Sequence, residues 1–256
     1  MQIVLLRGLA RHSEHWYGFD QLILNRWPVV KKVIAIDFPG NGERWEENSF
    51  IKISEYATFL QDELKKNLIP QTDFIVIALS MGGMITLEWL QMYAGSLNHC
   101  LKVILINTSS RNCARFYQRF SIATAIKLPM VMLMGTHFKE AYILNLTLSH
   151  RSNKDKEVLL QKSQLLKFPQ MKKLNFFRQI WAAYCFRAPI LNPLERNKIV
   201  LVLGEKDRLV DPNISRNMAL FYASELVCFS EAGHDLPLDI SEKFIEYLGT
   251  FLENNK

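Results

Sequence analysis

Phe74-Ile75-Val76-Ile77-Ala78-Leu79-Ser80-Met81-Gly82-Gly83 is the stretch that decides how this chain reads. Phe74 to Ile77 is a continuous apolar run with no polar alternation, the pattern of a strand covered on both faces. The segment from Gly82 to Ala94 then carries Ile85, Leu87 and Trp89 and reads as a helix. A serine on so tight a strand-to-helix turn is forced up and out of the sheet. Strand and helix approach closely there, so the positions two before and two after the serine must be small, and Ala78 and Gly82 meet that demand. The positive end of the helix also points at the serine oxygen, which favours an alkoxide or oxyanion.

Runs of the same kind lie on either side. Ile3 to Leu6, Val33 to Ile36 and Val103 to Ile106 are continuous and rich in Val and Ile, and helical spacing fills Glu14 to Trp27 and Ser54 to Leu68 between them. The alternation resumes with a strand at Ile199 to Leu203, a helix from Pro212 to Tyr222, a strand at Leu226 to Phe229 and a last helix from Ser241 to Leu252. This order predicts an α/β fold: a doubly wound, mostly parallel sheet of about six strands with helices on both faces. Residues 111–190 interrupt the rhythm. They are helical in composition, punctuated by Pro129, Pro169 and Pro189, and hold no clear strand run. The expected organisation is a core of residues 1–110 and 191–256 with an inserted helical cap, residues 111–190, over the carboxyl ends of the strands, where open α/β sheets place their sites.

Composition bounds the rest. A chain of 256 residues, 49% hydrophobic and 22% charged, is long enough for one sizeable core. Gln2 to Leu6 is too short for the apolar part of a secretory signal. No stretch reaches the roughly 20 apolar residues that span a bilayer. A cytoplasmic protein without a membrane span is expected. Cys100, Cys113, Cys185 and Cys228 stand singly, so neither a zinc site nor a disulfide framework is expected, and no metal or cofactor is called for. The net charge of +6 is unevenly placed: Arg111 to Lys198 holds 16 Lys and Arg against 4 Asp and Glu, leaving 15 against 21 elsewhere.

A serine hydroxyl is a poor nucleophile unless a base takes its proton, so a histidine and a group to hold it are needed. His234, in Glu231-Ala232-Gly233-His234-Asp235, follows the last strand and precedes the last helix, which puts it on a loop at the carboxyl edge of the sheet. His12, His15, His99, His137 and His150 lack that setting and read as structural or surface residues. The orienting acid belongs between nucleophile and base in chain order, after a strand. Gly204-Glu205-Lys206-Asp207 makes Asp207 the first choice, with Glu205 and Asp211 as rivals; Asp211-Pro212 also reads as a helix start. Two backbone N–H groups are needed for an oxyanion: Met81, next after the serine, and Leu9 in Arg7-Gly8-Leu9 after the first strand.

Arg7-Gly8-Leu9, then Asp37-Phe38-Pro39-Gly40-Asn41-Gly42, the serine turn, a cap, Gly-x-x-Asp and Gly-His stand in an order that resembles the α/β-hydrolase superfamily over nearly the whole chain. The resemblance implies a serine hydrolase acting through Ser80, His234 and Asp207. Two departures stand out: the superfamily usually has His-Gly after that first strand and Gly at the start of the serine turn, where this chain has Arg7-Gly8 and Ala78. The chain also begins at what would be the third strand of the full superfamily pattern. A dehalogenase of this fold would carry Asp at position 80, where this chain has Ser80, so dehalogenation is not the expected reaction.

The basic segment is the remaining clue to substrate. It reads either as a solvated helical face or as a surface for an acidic partner. Similar cap-bearing esterases include those of biotin synthesis that cleave a methyl ester from pimeloyl groups on acyl carrier protein, and a positive cap would steer so acidic a carrier. Arg7, Arg115, Arg119, Lys172, Lys173 and Trp181 are the candidate substrate or partner contacts. Phe116, Phe120, Leu128, Met130, Met132, Phe176, Phe177 and Trp181 could line an acyl channel, though packing is the expected role of most. Nothing resembles a recognition helix for nucleic acid. A cofactor-free haloperoxidase or lyase, or a catalytically silent binding protein, are the alternative readings of the same fold.

Overall fold

The structure, a computed structural model, describes residues 1–95, 98–119, 127, 130–131 and 133–253. Six strands form one sheet: β1 (Gln2–Leu6), β2 (Lys32–Ile36), β3 (Phe74–Leu79), β4 (Cys100–Ile106), β5 (Ile199–Gly204) and β6 (Glu225–Phe229). They lie in the order β2-β1-β3-β4-β5-β6 and every neighbouring pair is parallel. The mostly parallel sheet expected from the sequence is therefore wholly parallel. Alternate residues explain why the runs are continuous rather than amphipathic. Val4, Leu6, Val76, Ala78, Val103 and Leu105 pack on one face, and Ile3, Leu5, Ile75, Ile77, Ile104 and Ile106 on the other. Each large aliphatic side chain so buried contributes about 1.5–3 kcal/mol, which offsets the entropy of ordering the strand.

Helices α1 (Phe19–Arg26), α2 (Ile53–Asn67) and α3 (Met81–Met92) connect the first four strands. Between β4 and β5 the described elements are all helical: α4 (Phe116–Arg119), α5 (Thr136–Thr147), α6 (Asn153–Ser163), α7 (Lys173–Cys185) and α8 (Pro193–Arg196). The chain closes with α9 (Asn213–Tyr222), α10 (Leu236–Asp239) and α11 (Ser241–Leu252). Among the described residues no helix is long and apolar enough to cross a membrane.

The expected helix from Glu14 to Trp27 is two pieces: a short 3-10 turn, Ser13–Trp16, and then α1. The chain turns between them, with Tyr17 at φ 49° and Gly18 at φ 92°. That turn lets Trp16 and Phe19 stack in the core, ring centroids 5.7 Å apart.

Strand order reverses between β1 and β3, since β2 lies on one side of β1 and every later strand on the other. Connections leaving β1 and β3 thus part to opposite sides and open a crevice at the carboxyl edge. The residues next after these two strands are Arg7-Gly8-Leu9 and Ser80-Met81. Topology therefore decides where the chemistry sits.

Candidate active site

Ser80 caps α3 with φ 54° and ψ −114°, a backbone conformation that a residue with a Cβ rarely adopts. Holding it costs about 1–3 kcal/mol and requires firm surroundings. Its N–H donates to Ile106 O (2.8 Å), and its carbonyl accepts from Thr108 Oγ1 (2.8 Å) and from the N–H of Gly83 (3.0 Å). The glycines follow from crowding. A Cβ on Gly82 would stand 2.9 Å from the carbonyl oxygens of Leu6 and Arg7, and one on Gly83 would stand 2.8 Å from Thr108 Cβ. Gly82→Ala should therefore cost about 1–3 kcal/mol, because backbone is less able to yield than a side chain. For a chain of this size that lowers Tm by about 3–10 °C, read by thermal unfolding. Ala78, by contrast, is buried in the core face shared with Leu6 and Leu105, so its methyl fits.

His234 and Asp207 meet at 2.6 Å through Nδ1 and Oδ2, both almost wholly buried. The other Asp207 oxygen accepts the N–H groups of Leu209 (2.7 Å) and Val210 (2.9 Å), which fixes the carboxylate. With the proton on Nδ1 directed at Asp207, Nε2 is left to accept a proton from elsewhere. Burial opposes charge on His234, but the Asp207 carboxylate, by its charge and its hydrogen bond, raises the imidazole above the ordinary histidine value; Asp235 adds to this and Arg7 works against it. The rivals are engaged elsewhere: Glu205 pairs with Arg216, while Asp211 accepts from Gln118 and from the N–H of Asn213 at the start of α9.

The end of β4 holds both loops. Ile106 takes the Ser80 N–H, and the next residue, Asn107, donates from Nδ2 to the carbonyls of Gly233 (3.1 Å) and His234 (2.8 Å) while its Oδ1 accepts from Gly204 (3.0 Å). Asp239 adds a second anchor, accepting the N–H groups of Gly233, Ser149, His150 and Arg151 at 2.7–2.9 Å. Neither Asn107 nor Asp239 was identified from the sequence. The only signal for Asn107 was its place directly after a buried strand. Among the described residues no hydrogen bond joins Ser80 Oγ to His234; such bonds are often long before substrate is present.

Gly8 lies against the serine, where a Cβ would stand 3.1 Å from Ser80 Cβ and 3.7 Å from Oγ. In the turn that follows, the Ala10 N–H is bound by Gln179 (2.9 Å) and the Arg11 N–H by Gly8 O (3.3 Å), and the Leu9 N–H has no partner among the described residues. Met81 is the first residue of α3, so its N–H has no acceptor within the helix. The two candidate donors are the residues next after Gly8 and Ser80 in the chain.

Several expected contacts need correction. Arg7 does not face a substrate: its guanidinium is 2% exposed, forms a two-pronged pair with Asp235 (3.0 and 2.6 Å) and lies over the Trp16 ring. Arg119 donates to the last carbonyls of α7, at Ala183 (2.6 Å) and Tyr184 (2.8 Å), so it closes a helix end. Trp181 and Phe177 lie on the outward face of α7, while Asn175, Gln179 and Ala182 are the residues it buries, so neither Trp181 nor Phe177 lines a channel. Arg115, Lys172 and Lys173 are exposed, Lys172 with its ammonium 5.0 Å from the Trp45 ring. Of the remaining apolar candidates, Met130 is exposed and Phe176 half-buried. Phe120, Leu128 and Met132 lie outside the described residues, as does the side chain of Phe116. Among the described residues no group of three or more His, Cys, Asp or Glu could hold a metal ion.

A wholly parallel sheet carries a serine on a strained turn and a carboxylate-held histidine at the same edge. The chain belongs to the alpha/beta hydrolase fold family, whose model matches residues 2–239. Comparison with curated protein sequences finds no match. Among solved structures it is similar to an esterase, RhEst1, from Rhodococcus sp. ECU1013, with 19% identity and a TM-score of 0.70 over 99% of this chain and 90% of the other. It is also similar to the proposed non-heme bromoperoxidase BpoC of Mycobacterium tuberculosis H37Rv (15%, TM-score 0.72, 100% and 92%). A third is the meta-cleavage product hydrolase CumD of Pseudomonas fluorescens IP01 (14%, TM-score 0.73, 100% and 92%). At these identities the likeness is one of fold.

Proposed function

We propose that this protein hydrolyses carboxylic esters through an acyl-enzyme, with Ser80 as nucleophile, His234 as general base and acid, and Asp207 holding the imidazole. The observation that carries the reading is the buried His234–Asp207 pair at the sheet edge where the strained Ser80 turn emerges. In this mechanism Ser80 Oγ bonds to the ester carbonyl carbon as His234 Nε2 takes its proton, and the N–H groups of Leu9 and Met81 receive the oxyanion. His234 returns the proton to the departing alcohol. Water, deprotonated by the same imidazole, then releases the acid and frees Ser80. Similarity to an esterase supports this reaction class. The four cysteines are unpaired, which suits a cytoplasmic setting. A panel of p-nitrophenyl esters tests the reaction: a burst equal to the enzyme concentration followed by steady release is expected, and no release from any ester would overturn it.

The finer reading has the helical insertion act as a cap that docks an acidic acyl carrier, delivering a methyl ester of a carried acyl chain. The sixfold run of Lys and Arg from Lys162 to Arg187, with no Asp or Glu between Val158 and Leu194, supports it. So does the outward stripe Leu174, Phe177, Trp181 and Tyr184 on α7, an exposed apolar strip rimmed by cations. Reversing charge at Arg115, Lys172 and Lys173 should raise KM for a carrier-linked methyl ester about 10-fold or more at low salt and leave small esters unchanged. Equal effects on both substrates would end this reading.

A further inference from the structure

Two loops 228 residues apart in sequence are joined by one buried ion pair, and we propose that Arg7 and Asp235 are a positioning pair: they fix the distance between the Leu9 turn and His234 and keep the charge beside the imidazole balanced. The inference rests on the reading of Ser80, His234 and Leu9 given above. Arg7 is the residue before Gly8, which touches Ser80, and Asp235 is the residue after His234. Their side chains are 2% and 4% exposed, and both guanidinium arms meet both carboxylate oxygens. The Trp16 ring, 4.7 Å from Arg7 Cζ, backs the guanidinium. The Asp235 N–H donates to Thr147 O (3.1 Å), which anchors the other end.

Stability alone is a poor explanation for such a pair. Taking both charges out of water costs about as much as their attraction returns, and apolar residues of equal volume often do as well. What a fork-to-fork pair supplies is direction: the two parallel hydrogen bonds fix separation and angle together. Here they span the Leu9 turn and the histidine, whose relative placement sets how well attack and oxyanion binding coincide.

The pair also has an electrostatic signature. The charged groups that bear on His234 are Asp207 from the loop after β5, Asp235 beside it in the chain and Arg7 from the end of β1. Asp235 favours the protonated imidazole and Arg7 disfavours it. Removing either partner therefore leaves the other's charge uncompensated, with effects of opposite sign.

The test uses the full chain as Arg7→Gln, Asp235→Asn, the double variant and Arg7→Lys, each checked for folding by thermal unfolding. His234 is titrated by NMR on histidine-labelled protein, and kcat and KM are measured with p-nitrophenyl acetate. Arg7→Gln should move the His234 titration to higher pH and Asp235→Asn to lower pH, and the double variant should return it towards wild type. Each single variant should lose about 10- to 100-fold in kcat with KM little changed. Arg7→Lys keeps the charge, so it should hold the titration in place yet recover only part of kcat, because an ammonium cannot make the two-pronged bond. If Arg7→Gln does not fold, Arg7→Lys and Asp235→Asn decide alone. Titrations that stay put or move in one direction for both single variants, or kcat per folded molecule equal to wild type, would overturn the proposal. An inert wild-type protein would sink the esterase reading instead, and the NMR titration would still decide whether the pair balances His234.

Discussion

Ser80→Ala should reduce kcat for p-nitrophenyl acetate by about 10⁶-fold, or about 8 kcal/mol of transition-state stabilisation. Losing the nucleophile from such a constellation costs nearly as much as losing all of it, because base and orienting acid have nothing left to activate. The fold should survive, since the bonds that hold this turn run through the backbone of Ser80 and through Thr108, not through the serine hydroxyl. Tm within about 2 °C of wild type is expected, together with loss of covalent labelling by a fluorophosphonate. Retained turnover with an intact fold would show that another group attacks the substrate.

The second large effect is expected at Asp207. Asp207→Asn keeps the volume and can keep the contacts to Leu209 and Val210, but it removes the charge that holds the Nδ1 proton of His234. A drop of about 10⁴-fold in kcat is expected, from the wrong tautomer and an uncompensated imidazolium. The pH profile supplies the mechanistic check. In the wild type the raised His234 pKa puts the acidic limb above the ordinary histidine value, and activity falls as pH falls through it because the base is then protonated. Removing the Asp207 carboxylate takes away the leading influence that raises that pKa, so the limb should move to lower pH. Stability follows the same linkage with its own sign. A group whose folded pKa is raised stabilises fully below its unfolded value and loses that contribution as pH rises through the folded value. The Tm difference between wild type and Asp207→Asn should accordingly be widest near about pH 5 and narrow towards about pH 9. A gap independent of pH would detach Asp207 from the imidazole.

The sheet was legible because its strands are buried on both faces. Phe74 to Ile77 and Val103 to Ile106 carry apolar side chains on both sides and read as continuous runs, so no contact had to be known to find them. Ser80, Asp207 and His234 were legible for a related reason: Ser80 follows β3 directly, Asp207 and His234 come within five residues of the ends of β5 and β6, and a parallel sheet brings all carboxyl ends to one edge. The Glu14 to Trp27 segment was not, because the break at Tyr17 and Gly18 comes from Trp16 and Phe19 finding one another in the core, which apolar spacing along the chain does not record. Arg7 and Arg119 looked like free cations for substrate or partner. A sequence gives their charge but not the carboxylate or helix end that consumes it.

By itself the sequence determined the alternation of strand and helix and the tight turn at Ser80, which depend on residues near one another in the chain, and it set Asp207 and His234 on the loops after later strands. Only the tertiary structure decided that Arg7 faces Asp235, that Asn107 and Asp239 hold the histidine loop, and that α7 turns its polar side inward and its aromatic side out. Those pairings join segments far apart in sequence, and their geometry is set by how two layers of helices close on a twisted sheet, which no local pattern encodes.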